Sequence, residues 1–127
     1  MADSSPNNLP PLSEATYWAI LKDEIEDAIV NQLMWHYLGY RFDEDTQSWN
    51  TDAVDPDWVE AYPDPPDFIE SRPATVKLTR SIPKPNKQLL KEQLGFKGYS
   101  VDQLVPRKTR RATMVNWLLS YQKDQAD

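Results

Sequence analysis

"ATYWAILKDEIEDAIVNQLMWHYLGY", Ala15 to Tyr40, is the stretch whose reading decides the fold class. Leu21, Ile25, Ile29, Leu33 and Tyr37 recur every fourth residue, with Ala28 alongside. Trp18, Val30, Met34 and Leu38 lie beside that stripe and widen it. Apolar residues at this interval fall on one face of a helix. Ser13 stands where an N-cap hydroxyl takes up the first free N–H groups. Within "KDEIED", Asp23 and Asp27 each offer a carboxylate that caps a fresh start. The spacing therefore predicts two helices, near 14–23 and 27–38, rather than one rod. Gly39 follows as the residue that closes the second.

Downstream, "YRFDEDTQSWN" changes period, with two short aromatic-bearing segments around a polar "DEDTQ". That pattern predicts a small β-hairpin. Asp55-Pro56 places a cap before a proline at the first helical position, which starts a short helix in "PDWVEAY". Residues 63–73, "PDPPDFIESRP", hold four of the eleven prolines. They read as an extended, polyproline-like strap, pinned to a core by Tyr62, Phe68 and Ile69. In residues 75–82, "TVKLTRSI", Val76, Leu78 and Ile82 alternate with polar neighbours at strand spacing, although Ser71–Arg72–Pro73 equally well opens a helix. "KPNKQLLKEQLGF" predicts a helix with Pro85 at its start, Leu89, Leu90 and Leu94 on one side, Gly95 at the C-cap and Phe96 folding back. Ser100 and Gln103 form a capping-box pair for a short turn that Pro106 cuts off. A last helix spans about Thr109 to Gln122, with Ala112, Val115, Leu118 and Leu119 inward. The expectation is mainly α: a small single-domain helical bundle over 13–123, with a proline-rich extended strap, a minor β-hairpin and disordered tails at 1–12 and 124–127.

The 127 residues suffice for one domain with a real core. There is no cysteine, which removes disulfides, iron–sulfur clusters and thiolate zinc sites together. The N-terminus lacks the basic and apolar regions of a secretory signal. No apolar run approaches the roughly 20 residues of a membrane span. A soluble, cytoplasmic protein with no membrane contact is expected.

Net charge is −6, but it is divided unevenly. Residues 1–70 carry 16 acids against Lys22 and Arg41, while residues 71–127 carry 12 bases against 4 acids. Either the two halves attract each other or they present interaction surfaces. The densest cations are Arg107, Lys108, Arg110 and Arg111, set before an apolar helical run. Cations at a helix N-terminus oppose the macrodipole by roughly 0.3–1 kcal/mol each, so an anionic partner is called for. With Lys97 they form a candidate anionic-partner site, supplied by the chain's own acidic half or by another molecule.

Catalytic and metal chemistry find little support. "DEDTQSWNTDAVDPD" resembles a calcium loop, but Ser48 stands where the glycine belongs and Val54 where the bidentate glutamate belongs. His36 is the single histidine, without the further nitrogen or sulfur ligands that a transition-metal site requires. As a general base it lacks an evident partner to activate, and between Trp35 and Tyr37 it reads as a packed residue. The three glycines form no phosphate loop. No catalytic residue, metal or cofactor is therefore expected, and the chain is read as a non-enzyme. Of its five tryptophans, Trp49 and Trp58 sit in acidic, loop-rich sequence, where an exposed ring makes an interface anchor.

Two nucleic-acid patterns overlie the C-terminal third. Leu90, Leu94, Gly95, Phe96, Ser100, Val101 and Leu104 fit helix-turn-helix spacing. Lys91, however, falls where the helices pack closest, and Pro106 truncates the recognition helix. "LKEQLGFKGYSVDQL" followed by "RKTRRATMVNWLL" is similar to the helix, extended loop and helix of SAP-type modules and of the Rho termination factor's N-terminal domain, with a longer loop. In that arrangement Lys97 and the four clustered cations meet phosphates and Tyr99 stacks. The acidic first half repels a polyanion unless turned away from it.

Three longer stretches, "WAILKDEIEDAIVNQLMWHYLGYRFD", "PDWVEAYPDPPDFIESRPATVKLTRSIP" and "NKQLLKEQLGFKGYSVDQLVPRKTRRATMVNWLLSY", resemble the uncharacterised cyanobacterial family DUF1823, a domain of unknown function. The resemblance implies no activity. It implies a soluble protein of an oxygenic phototroph, serving as an assembly or regulatory factor. The expected function is thus non-catalytic interaction with an unknown protein partner or in a homo-oligomer, with nucleic-acid binding as the alternative.

Overall fold

The long C-terminal helix organises the molecule. The computed structural model describes residues 9–126. In order these form α1 (Glu14–Leu21), α2 (Asp27–Leu38), β1 (Arg41–Asp43), β2 (Ser48–Asn50), α3 (Pro56–Ala61), α4 (Arg72–Ser81), α5 (Leu89–Leu94) and α6 (Pro106–Ala126). Helix α6 packs against α1, α2, α4 and α5, burying Met114, Val115, Leu118 and Leu119 at its centre. The strands pair antiparallel, with Phe42 opposite Trp49, beside the C-terminal end of α2. This is the mainly α domain with a minor hairpin that the periodicity predicts.

Local signals set most boundaries. The Ser13 hydroxyl accepts from the Thr16 N–H at 3.3 Å, capping α1. Gly39 ends α2 at φ +110°, and a Cβ there would lie 2.4 Å from the Ala53 carbonyl oxygen, so both conformation and space demand glycine. The Asp55 carboxylate accepts from the Asp57 N–H at 2.9 Å to start α3.

Several expectations are corrected. Residues 75–81 are helical, not extended: the Ser71 hydroxyl accepts from the Ala74 N–H at 3.2 Å, and proline in the first turn suits a helix start. The alternation of Val76 and Leu78 is incidental, and Ala74, Thr75 and Leu78 form the buried face. The expected short turn forms at Val101–Gln103 and ends before Pro106, which itself opens α6 three residues ahead of the expected start, where its missing N–H costs nothing. The Ser100 hydroxyl bonds to the side chains of Asp102 and Gln103 rather than capping backbone. The buried face of α2 centres on Val30, Leu33, Met34 and Leu38, leaving Ile29 and Tyr37 half-buried. The break between α1 and α2 resets the helical phase, so the four-residue stripe drawn across both is not one face. Of the proposed tails, residues 124–126 continue α6, and Leu9 and Leu12 pack against the core. Residues 1–8 and 127 lie outside the described residues.

The strap is held by side chains, because it has no ladder to satisfy its backbone. Buried Asn31 bridges it, donating to the Asp67 carboxylate at 2.8 Å and accepting from the Phe68 N–H at 2.9 Å. One turn later on α2, the Trp35 indole donates to the Pro66 carbonyl at 2.6 Å. The Tyr40 hydroxyl donates to the Tyr62 carbonyl at 2.6 Å. With those groups paired, Phe68 and Ile69 bury fully against Trp58 and α4.

The start of α6 answers the charge question. Arg107 donates from Nη1 and Nη2 to both Asp23 oxygens, at 2.6 and 2.8 Å, and from Nε to Asp27 Oδ2 at 3.1 Å. Arg111, fully buried, donates to Asp27 Oδ1 at 2.6 Å and to the carbonyls of Ile20 and Ile25 at 3.1 and 2.6 Å. Asp23 and Asp27 therefore serve as ion-pair partners instead of caps, and α2 begins without a side-chain cap. Among the described residues every ion pair belongs to this four-residue cluster. Arg107 holds the Asp23 carboxyl below the ordinary carboxylate range. Desolvation pushes Asp27 up, but hydrogen bonds from Arg111 and Arg107 outweigh it and the net shift is also downward.

Two outcomes follow from this packing. Phe68→Ala should cost about 3–5 kcal/mol, as truncating a fully buried phenylalanine does, and Tyr62→Ala less because its ring is partly exposed. Urea unfolding checks both, and losses under about half a kcal/mol would mean that the strap is not part of the core. The second concerns pH. A carboxyl whose pKa is lower folded than unfolded contributes stability that is complete above the unfolded value, about 4, and is lost as pH falls through the folded one. The parent should therefore lose stability as pH drops below about 4.5, and an Asp23→Asn, Asp27→Asn variant should start less stable at neutral pH and lose less over that window. Parallel pH profiles would show that the cluster does not stabilise the fold.

Candidate functional site

The helical advance of about 100° per residue separates the clustered cations. Arg107 and Arg111, one turn apart, share the face turned toward α1 and α2 and are consumed by the pairing just described. Arg110 points elsewhere and donates from Nη1 to the Ile69 carbonyl at 2.8 Å. The Lys108 ammonium lies 6.0 Å from the centroid of the Tyr99 ring. Lys97 is exposed on the loop after α5. The five cations do not converge on one anionic group.

The aromatic candidates also diverge. Trp58 is only 5% exposed, packed edge-on against Phe68 and beside Tyr62, so it is a core residue and not an anchor. The N-cap at Asp55 orients α3 with this ring inward. Tyr99 is half-buried, with its hydroxyl donating to the Leu21 carbonyl at 2.8 Å and Phe96 edge-on at 5.1 Å. It fastens the loop to the end of α1 rather than offering a stacking face. Burial pushes its hydroxyl pKa up.

Trp49 alone remains at the surface with a site around it. Its ring meets Phe42 across the hairpin at 5.1 Å, Trp35 of α2 at 5.7 Å and Tyr40 at 6.4 Å, all edge-to-face. These rings, with Gln32, His36 and Arg41, line a cleft of about 390 Å³. Arg41 closes its end, donating from Nη1 to the carbonyls of His36 and Tyr40 at 2.8 Å each. Phe42 is 46% exposed, an unusual position for so large a ring. Burial, reinforced by the Arg41 charge, pushes the His36 pKa down, so the imidazole is neutral at neutral pH. Among the described residues its ring makes no hydrogen bond, and no three acidic or histidine side chains gather as metal ligands. The cleft is apolar and aromatic with a few polar edges, a shape that accepts an apolar or aromatic side chain.

Sequence reasoning finds Trp49 but misses Phe42, Trp35 and Arg41. Phe42 was detectable, since a four-residue turn after Asp43 puts it opposite Trp49. Trp35 was not, because its place depends on how the hairpin folds back onto α2.

No curated protein matches the chain. A solved structure, described as a solution NMR structure, shares 59% identity with a TM-score of 0.79, and the alignment covers 100% of both chains. The family model described as "Domain of unknown function (DUF1823)" matches residues 11–123. These cover the bundle, the strap and the aromatic cleft, and the chain accordingly belongs to the DUF1823 family.

Proposed function

We propose that this protein is a non-catalytic interaction factor that seats an apolar or aromatic side chain of a protein partner in the cleft between Trp35, Phe42 and Trp49. The observation that carries this reading is the half-exposed Phe42, held beside Trp49 on an ordered hairpin. An isolated two-stranded hairpin is marginal in water. Here α2 supports it through the Trp35–Trp49 contact, and a surface supported before anything binds favours affinity. Tryptophan and tyrosine are the residues that dominate binding energy at interfaces. The acidic turn beside the cleft, with Asp43, Glu44 and Asp45 exposed, supplies a charged rim that favours a partner with basic flanks. Self-pairing of Arg107 and Arg111 supports a protein partner over nucleic acid, since two of the five cations that would meet phosphates are already neutralised. The finer form of the proposal is a cytoplasmic assembly or regulatory role in an oxygenic phototroph, where the partner would be found.

Phe42→Ala removes the exposed ring without opening the core. In chemical crosslinking and co-purification from the native host, the partner recovered by the parent should fall by about tenfold or more with this variant. It should persist with Val101→Ser, which alters a residue 87% exposed and outside the cleft. Equal recovery by Phe42→Ala, with its thermal unfolding unchanged, would rule the cleft out. Recovery of the protein itself would identify the partner as a second copy.

A further inference from the structure

We propose that a second and separate surface, a basic trough along α4, α5 and α6, docks an acidic amphipathic segment of a protein partner. Three depressions run together there. One of about 440 Å³ lies between α4 and the start of α6. It shares Thr79 and Thr113 with the next, of about 180 Å³, where α4 ends against α5 and α6. That one shares Lys87 and Leu90 with a third, of about 600 Å³, over α5 and the loop that follows. Arg72, Arg110, Lys87, Lys91 and Lys97 line the combined trough, and no aspartate or glutamate does.

None of these five cations forms an ion pair among the described residues. Arg110 and Lys87 each give one N–H to a backbone carbonyl, which holds the side chain without cancelling its charge. Arg72 also borders the neighbouring groove that holds Asp55 and Asp57, whereas Arg110, Lys87, Lys91 and Lys97 line depressions in which no carboxylate stands. The basic half of the chain is thus neutralised at Arg107 and Arg111 and left open here.

The floor selects among anions. Val76, Ile82, Leu90 and Phe96 lie between the cations, and Leu104 and Val105 stand at one mouth, 55% and 43% exposed. Covering that floor takes apolar side chains interleaved with carboxylates, the pattern of an acidic amphipathic helix. A nucleic-acid backbone offers nothing to a floor whose apolar residues, Phe96 apart, are aliphatic, and a long polyanion leaving the trough runs into the field of the acidic half. A short peptide stays within it. The trough shares no residue with the aromatic cleft, so the two surfaces stand or fall separately.

The test is fluorescence anisotropy at physiological salt, with a labelled synthetic peptide of about 16 residues carrying glutamate and leucine at helical spacing. Its controls are a peptide with the leucines replaced by serine, and mixed-sequence single- and double-stranded DNA of similar charge. The parent should bind the Glu/Leu peptide at micromolar concentration and the serine peptide and DNA far more weakly. An Arg72→Gln, Lys91→Gln, Lys97→Gln variant, its fold verified by circular dichroism, should lose about tenfold or more, and Phe42→Ala should lose nothing. Unchanged binding in the triple variant, or no binding by the parent, overturns the proposal. DNA bound more tightly than the peptide, and lost in the same variant, overturns it in favour of a nucleic-acid surface.

Discussion

Three helix ends meet at the Arg111 guanidinium, and the packing of the molecule depends on satisfying it. Helix α1 ends there, presenting the Ile20 carbonyl; α2 begins there, presenting Asp27; and α6 begins there, bringing the arginine itself. Each contact suits the local field. A cation is favourable at the C-terminus of α1 and an anion at the N-terminus of α2. The one unfavourable placement, cations in the first turns of α6, is offset by the carboxylates of Asp23 and Asp27. Arg111 Nε has no protein partner among the described residues. A buried ion pair of this kind gives little net stability over a well-packed apolar substitute. What it supplies is register: rotating α6 by one residue swings the guanidinium through about 100° and away from Asp27 and the carbonyls of Ile20 and Ile25.

The same logic governs the strap. A segment with prolines at 63, 65 and 66 cannot build a ladder, and its carbonyls must be satisfied one at a time. On α2, Asn31 takes up the Phe68 N–H and the Asp67 carboxylate and Trp35, four residues on and so on one face, takes up the Pro66 carbonyl, while Tyr40 beyond the helix end takes up that of Tyr62. Trp35 thereby links the strap to the hairpin, since one edge of its ring holds Pro66 and the ring also meets Trp49. The exposed aromatic surface is thereby tied to the core beneath it.

Charge is distributed by the same division between inside and outside. The acidic first half and basic second half touch at one cluster, where four side chains neutralise each other. Elsewhere they form no ion pair among the described residues, although Asp55 and Asp57 at the start of α3 and Arg72, Lys77 and Arg80 of α4 line one shared groove. A chain of net charge −6 can in this way carry an acidic, aromatic surface at the hairpin and a basic, largely aliphatic one along α5 and the start of α6.

The sequence by itself determined most of the helices and several of their boundaries. Ser13, Gly39, Asp55-Pro56 and Gly95 act within a turn of themselves, so their effect is local and legible. It also determined the hairpin, because the change of period around residues 43–48 is a property of neighbours alone. Residues 75–81 escaped it, since a short run of alternating apolar residues fits strand or helix equally, and the decision came from Ser71 and the face buried on α6. Only the tertiary structure decided the sites. That Asp23 and Asp27 neutralise Arg107 and Arg111 instead of capping α2, that Trp58 is buried while Phe42 is exposed, and that five other cations line one trough are facts about residues far apart in the chain. Their distances are fixed by how α6 docks on α1, α2, α4 and α5, and no periodicity along the chain encodes that docking.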